Sequence, residues 1–165
     1  MPKLSHLDSK GQARMVDVGA KGTTRRRAVA QGRLKLSARA FRLLAENRLA
    51  KGDAVAVARI AAIQAGKRTA EWIPLCHTVP LDHLDVEIAH DTASREAVVT
   101  TTAEARWTTG VEMEALVAAG AACLALYDMT KSVDRGASGR EIALLEKSGG
   151  RTGRWRRGAA SARLT

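Results

Sequence analysis

The sequence predicts an α+β domain in which helices cover one face of an antiparallel sheet. Three observations carry that prediction. Residues 27–36, 84–89 and 97–106 show the period-two alternation or the Val/Thr enrichment of strands. The segment after Ser37, residues 53–69 and residues 111–133 place apolar residues at helical spacing or are apolar nearly all round. Breaks bearing Gly, Asp or Pro separate these stretches, so strands and helices interleave along the chain. At 165 residues and 45% hydrophobic content, the chain supports one domain with a real core.

The elements follow in order. Residues 1–26 carry no periodicity and read as a mobile basic N-terminal arm ahead of a catalytic domain at 27–150. From Arg27, the residues Ala28, Ala30, Gly32, Leu34 and Leu36 face one way. Arg27, Gln31, Arg33 and Lys35 face the other, with Val29 the one exception, as in a half-buried strand. Ser37 suits a helix N-cap, with Ala40, Phe41, Leu44 and Ala45 behind it. Lys51-Gly52-Asp53 breaks the chain before the second helix. Pro74 and Pro80 bracket a loop over 72–83. The strands at 84–89 and 97–106 read as a hairpin around the turn at 91–96. The helix at 111–133 contains the longest apolar run, 115–127, and should be central and buried. A break over 136–139 precedes a last short strand around Ile142 and Leu144, and residues 151–165 form a basic C-terminal tail. The order β-α-α-β-β-α-β fits a ferredoxin-like split βαβ sandwich. One helix layer leaves the far sheet face needing cover, and oligomer contacts are one way to supply it.

Composition excludes several classes. The apolar run at 115–127 is too short to span a bilayer and suits a buried helix. Residues 1–26 lack the apolar core of a secretory signal, and Cys76 and Cys123 have no CxxC spacing, which points to reduced thiols and a cytoplasmic location. The net charge of +10 suggests nucleic acid, but its distribution argues otherwise. Residues 1–27 carry a net +5 and residues 147–165 a net +6, while 28–146 carry −1. Aromatics are 3% and do not interleave with the basic residues as stacking platforms would.

Four polar features stand out. Cys76-His77 sits between two prolines, where a stiff loop can present a thiol and an imidazole to a ligand; a packed loop with a small buried Cys and a surface His gives the same pattern. A zinc site is disfavoured, since His83 is the only further nearby ligand. Glu112 and Glu114 open the apolar helix. First-turn acids commonly serve the helix dipole, yet two residues two apart on a helix point about 200° apart, so at least one must face inward unless the segment is still extended. At the other end, Asp128 and Lys131 share a face at i, i+3: a surface ion pair, or a carboxylate held beside a lysine as acid or base. Lys51 and Lys67 are cations beside apolar helices, where solvation is the usual explanation. Glu114 and Asp128 lie about 21 Å apart at 1.5 Å per residue. One small ligand cannot reach both within one helix, so the substrate is long or the site lies between subunits.

Together these segments resemble a known family. MVDV (15–18), KGTTRRRAVAQG (21–32), KGDAVAVARIAAIQAGKRT (51–69), IPLCH (73–77), TGVEMEAL (109–116), YDMTKSVDR (127–135) and KSGGRTG (147–153) are similar, in order and spacing, to the cyclic pyranopterin monophosphate synthases of molybdenum cofactor biosynthesis. The resemblance implies a ferredoxin-like protomer and a hexamer built as a trimer of dimers with intersubunit sites. It implies a phosphorus-oxygen lyase that converts (8S)-3′,8-cyclo-7,8-dihydroguanosine 5′-triphosphate to cyclic pyranopterin monophosphate with release of pyrophosphate. By the family pattern Asp128, Lys51 and Lys131 are catalytic. Leu75, Cys76, His77, Met113 and Glu114 bind substrate, and Glu112, Arg26, Lys67 and Lys147 match further polar site positions. Thr78-Val79 and Thr130 depart from the common family residues, but none of these has a proposed catalytic role.

The chemistry is consistent with that implication. A triphosphate needs several cations, and Arg25, Arg26, Lys51, Lys67, Lys131 and Lys147 can supply them. No dinucleotide or Walker motif is present, so no cofactor is expected; Mg2+ on the triphosphate is compatible with the sequence but not indicated by it. The alternative from another class is a basic ferredoxin-like RNA-binding module, which predicts salt-sensitive binding and indifference to Asp128.

Overall fold

A computed structural model describes residues 10–151 and 153–158; the first nine residues of the arm and residues 159–165 of the tail lie outside the described residues. The order of elements is β1 (Thr24–Lys35), α1 (Ala38–Ala45), α2 (Ala54–Lys67), α3 (Thr69–Trp72), β2 (His83–Asp91), β3 (Glu96–Trp107), α4 (Glu112–Thr130), β4 (Ser138–Ser148) and β5 (Trp155–Arg156). The strands form one sheet in the order β2-β3-β1-β4-β5, and all its pairings are antiparallel. With β5 set aside, this is the ferredoxin-like arrangement that the sequence predicts.

The alternation in β1 places Ala28, Ala30 and Leu34 in the core. The side chains of Ser37 and Asp53 cap α1 and α2 by accepting from the Ala40 and Ala56 amides. Small residues let the helices lie close: Ala58 and Ala62 of α2 share a fully buried core with Ala118, Ala122 and Leu126 of α4. A second core, under the first half of α4, joins Ala28, Ala30, Ala103, Val111 and Ala115. The buried Thr101 hydroxyl of β3 donates to the Ala115 carbonyl at 2.8 Å, fixing helix to sheet. By length and composition α4 could cross a membrane, but half of it is buried within the fold.

The far face of the sheet carries several ion pairs. Arg27 lies 3.3 Å from Glu104 and 3.3 Å from Glu146, and Arg33 lies 2.8 Å from Glu96. Glu146 also meets Arg154 at 3.2 Å and Arg156 at 3.1 Å. Part of the terminal basic charge, on Arg27, Arg154 and Arg156, thus meets carboxylates on this face.

Element boundaries differ from the sequence reading at several places. The long helix read over 111–133 ends at Thr130, where Lys131 caps it before a turn. The first strand begins at Thr24, three residues early. The second helix ends at Lys67, because Arg68 leaves helical geometry (φ −116°, ψ 22°) before the separate turn α3. The last strand spans 11 residues rather than a short piece. Two register irregularities against β1 and a positive φ at Glu141 break its side-chain alternation. Finally, β5 pairs Trp155 and Arg156 with β4 inside a tail that shows no strand pattern.

Candidate active site

The candidate residues fall into two groups at opposite ends of α4. At its C-terminal end, the loop before α2 brings Lys51 to Asp128. Lys51 Nζ donates to Asp128 Oδ2 at 2.9 Å and to its main-chain carbonyl at 2.6 Å. Lys131, one turn on, reaches Asp128 Oδ1 at 2.7 Å. One carboxylate thus holds two ammonium groups on an exposed rim. Hydrogen bonds from Lys131 and then Lys51 pull the Asp128 pKa down to about 2, and the same bond raises that of Lys131. At neutral pH the trio is an anion between two cations.

At the N-terminal end, Glu112 and Glu114 diverge as helix geometry requires. Glu112 reaches Lys147 at 3.1 Å. Glu114 turns inward and is only 3% exposed. Burial, against a smaller opposing effect of its own amide, raises its pKa to about 7, with the charge of Glu112 adding to the rise. Glu114 therefore changes protonation in the neutral range. Cys76 lies near enough that Glu114 adds to the upward push which burial gives its thiol. The Cys76 amide closes a turn by donating to the Ile73 carbonyl at 3.0 Å, and His77 follows, with Nε2 2.7 Å from the Val16 carbonyl. Met113 is half-buried and Leu75 is 36% exposed at this end. Lys67 is exposed on the last turn of α2. Its neighbour Gly66 lies so close to α4 that a Cβ there would sit 3.3 Å from the Glu114 carbonyl, which places Lys67 at the same end.

A cleft of about 850 Å3 opens beside this group, lined by Arg26, Lys147, Glu112, Lys21, Asp17 and Arg151, among others. Arg26 donates through Nε to the Trp107 carbonyl at 3.2 Å and through Nη2 to the Thr108 carbonyl at 3.1 Å, so its guanidinium is fixed at the cleft wall. The turn Gly149-Gly150 presses on it from the other side. Both residues have positive φ (100° and 70°), and a Cβ would strike the Arg25 carbonyl at 2.1 Å or Arg26 Nη1 at 2.0 Å, so only glycine fits. The cleft is a set of fixed cations with one carboxylate pair, suited to a polyanionic ligand.

A model of the MoaC family matches residues 15–150, which takes in both groups. The chain belongs to the MoaC family. Its relatives there include the cyclic pyranopterin monophosphate synthase of Thermomicrobium roseum, 51% identical over 95% of each chain. Those of Chloroflexus aurantiacus and Bordetella petrii are 48% and 46% identical, over 94% of this chain and 95% and 96% of theirs.

Within this MoaC-family chain the fold gathers Lys51, Asp128 and Lys131 at one end of α4. It gathers Arg26, Lys67, Leu75, Cys76, His77, Glu112, Met113, Glu114 and Lys147 at the other. It does not bring the two sets together within one subunit. Reasoning from spacing passed over Val16, Asp17 and Lys21, which line or contact the second group. The signal was present in the MVDV and KGTT segments, whose lack of periodicity masked it. Among the described residues no group of three or more His, Cys, Asp or Glu side chains is arranged to hold a metal ion.

Proposed function

We propose that this chain converts (8S)-3′,8-cyclo-7,8-dihydroguanosine 5′-triphosphate to cyclic pyranopterin monophosphate and pyrophosphate, as a cytoplasmic enzyme of molybdenum cofactor biosynthesis. One observation carries the reading: the Lys51–Asp128–Lys131 trio and the Glu114–His77–Lys147 group occur together in a chain about half identical, nearly end to end, to synthases named for that product.

In this reading the bond between the α-phosphorus and the pyrophosphate oxygen breaks, and a ring phosphorus–oxygen bond forms. Charge builds on the leaving pyrophosphate, and fixed cations stabilise it without reorganising. Arg26, Lys147 and Lys67 at one end and Lys51 and Lys131 at the other supply them. Rebuilding the purine ring needs proton transfers. Glu114, poised near neutrality, can give or take a proton at working pH, and His77 is the second candidate. Asp128, ionised and doubly paired, holds Lys131 as an ammonium ion and hydrogen-bonds Lys51; it becomes a proton acceptor when substrate draws them away. No resident cofactor belongs to this scheme, and Mg2+ would accompany the triphosphate alone.

The separation of the two groups favours a site completed by a second copy, in a hexamer built as a trimer of dimers. The direct test is mass-spectrometric detection of cyclic pyranopterin monophosphate made from the cyclic GTP intermediate. Wild-type protein should form it, and folded Asp128→Ala and Lys131→Ala proteins should not; normal turnover by both variants sinks the assignment.

A further inference from the structure

The main-chain carbonyl of Val16 lies 2.7 Å from Nε2 of His77. A carbonyl oxygen can only accept, so Nε2 carries the proton of this hydrogen bond. In a neutral imidazole that leaves the lone pair on Nδ1. The chain directly after Val16 is locally fixed. Asp17 Oδ1 accepts from the Gly19 amide at 2.9 Å, and the Val18 carbonyl accepts from the Lys21 amide at 3.0 Å, so two local turns hold residues 17–21. Met15 and Val18 form one wall of a cavity of about 430 Å3, with Cys76, His77 and Trp107 opposite. Asp17 and Lys21 of the same segment line the larger cleft that holds Glu112 and Lys147. The segment is therefore a shared wall between the histidine and the cationic cleft.

We infer that residues 15–22 act as a positioning strap that holds His77 in its Nε2–H form, so that Nδ1 is the atom with which His77 accepts a proton from the substrate. The inference rests on the pterin-forming reading of the site and adds the atom and the device. On taking the proton, His77 becomes an imidazolium whose Nε2–H stays on Val16 and whose Nδ1–H is handed on to a later oxygen or to solvent. Val16 contributes only its main chain, so its side chain can be replaced by another β-branched one without loss.

The experiment is two-bond 1H–15N correlation of the histidine-labelled full chain, with the His77 signals assigned by their loss in His77→Gln, alongside product kinetics. Wild-type His77 should appear as the Nε2–H form. His77→Gln keeps an amide donor near the Nε2 position but has no base at the Nδ1 position; kcat should fall on the order of 100-fold or more with KM changed far less. Asp17→Ala should admit the other tautomer and lower kcat by roughly tenfold. Asp17→Asn, whose side-chain oxygen can make the same turn bond, should restore both. A His77 signal in the Nδ1–H form, or a His77→Gln protein with near wild-type kcat, overturns the proposal. A wild-type chain that makes no product overturns instead the reading beneath it, and with it the role of Nδ1; the same assay shows which has failed.

Discussion

Glu114 and Asp128 are two carboxylates on one helix with opposite fates. Asp128 is exposed and meets two ammonium groups, so it stays ionised down to about pH 2. Glu114 is buried without a cation, and its pKa rises to about 7 from an ordinary 4.5. The folded protein therefore holds the Glu114 proton more tightly than the unfolded chain does. The sign follows: stability is fully present below about pH 4.5 and is lost as pH rises through 7, by on the order of 3 kcal/mol. Glu114→Gln should remove that slope and be the more stable protein at pH 8, in urea unfolding at pH 5 and 8; equal slopes in both proteins would contradict the assignment. Asp128→Asn should leave the melting temperature nearly unchanged, because the trio is exposed, while kcat/KM falls at least 100-fold. Sequence spacing alone showed that one of Glu112 and Glu114 must point inward. It could not show which, since that depends on how α4 is rotated against the sheet.

At the level of elements, close contact between β1 and α4 depends on Gly32. A Cβ there would sit 2.8 Å from Cys123 Sγ and 3.3 Å from the Ala119 carbonyl. Gly32→Ala should cost about 1–3 kcal/mol by overpacking. Adding Cys123→Ala should recover part of that cost, so that the double mutant in chemical denaturation is less unstable than the two single losses summed. A second glycine effect touches the site. Gly150→Ala should displace Arg26 and raise KM, and it should also lower the melting temperature, since alanine is strained at φ 70°. Most elements were legible because β1 and β2 alternate, Val29 apart, β3 is rich in Val and Thr, and α1 and α2 carry caps. The long β4 was not, since its bulges against β1 break the period of two. The two-residue β5 was not either, because its pairing is held by main-chain bonds and by Glu146 ion pairs rather than by an apolar pattern.

On the scale of the whole molecule, the governing fact is that one 19-residue helix has a candidate site group at each end. The fold places α2 antiparallel to α4, so Lys51 falls beside Asp128 and Lys67 beside Glu114, and no turn of the chain joins the two sets. In the proposed reading, a long substrate bound across a subunit boundary accounts for this. The most direct measurement is to mix two inactive proteins, Asp128→Asn and Arg26→Ala, under conditions of subunit exchange, and to assay cyclic pyranopterin monophosphate by mass spectrometry. If each site takes its two halves from different subunits, half of the randomly formed pairs are mixed and each mixed pair has one intact site. The mixture should then recover roughly a quarter of wild-type activity. A mixture that exchanges subunits yet stays as inactive as its parents would contradict a shared site.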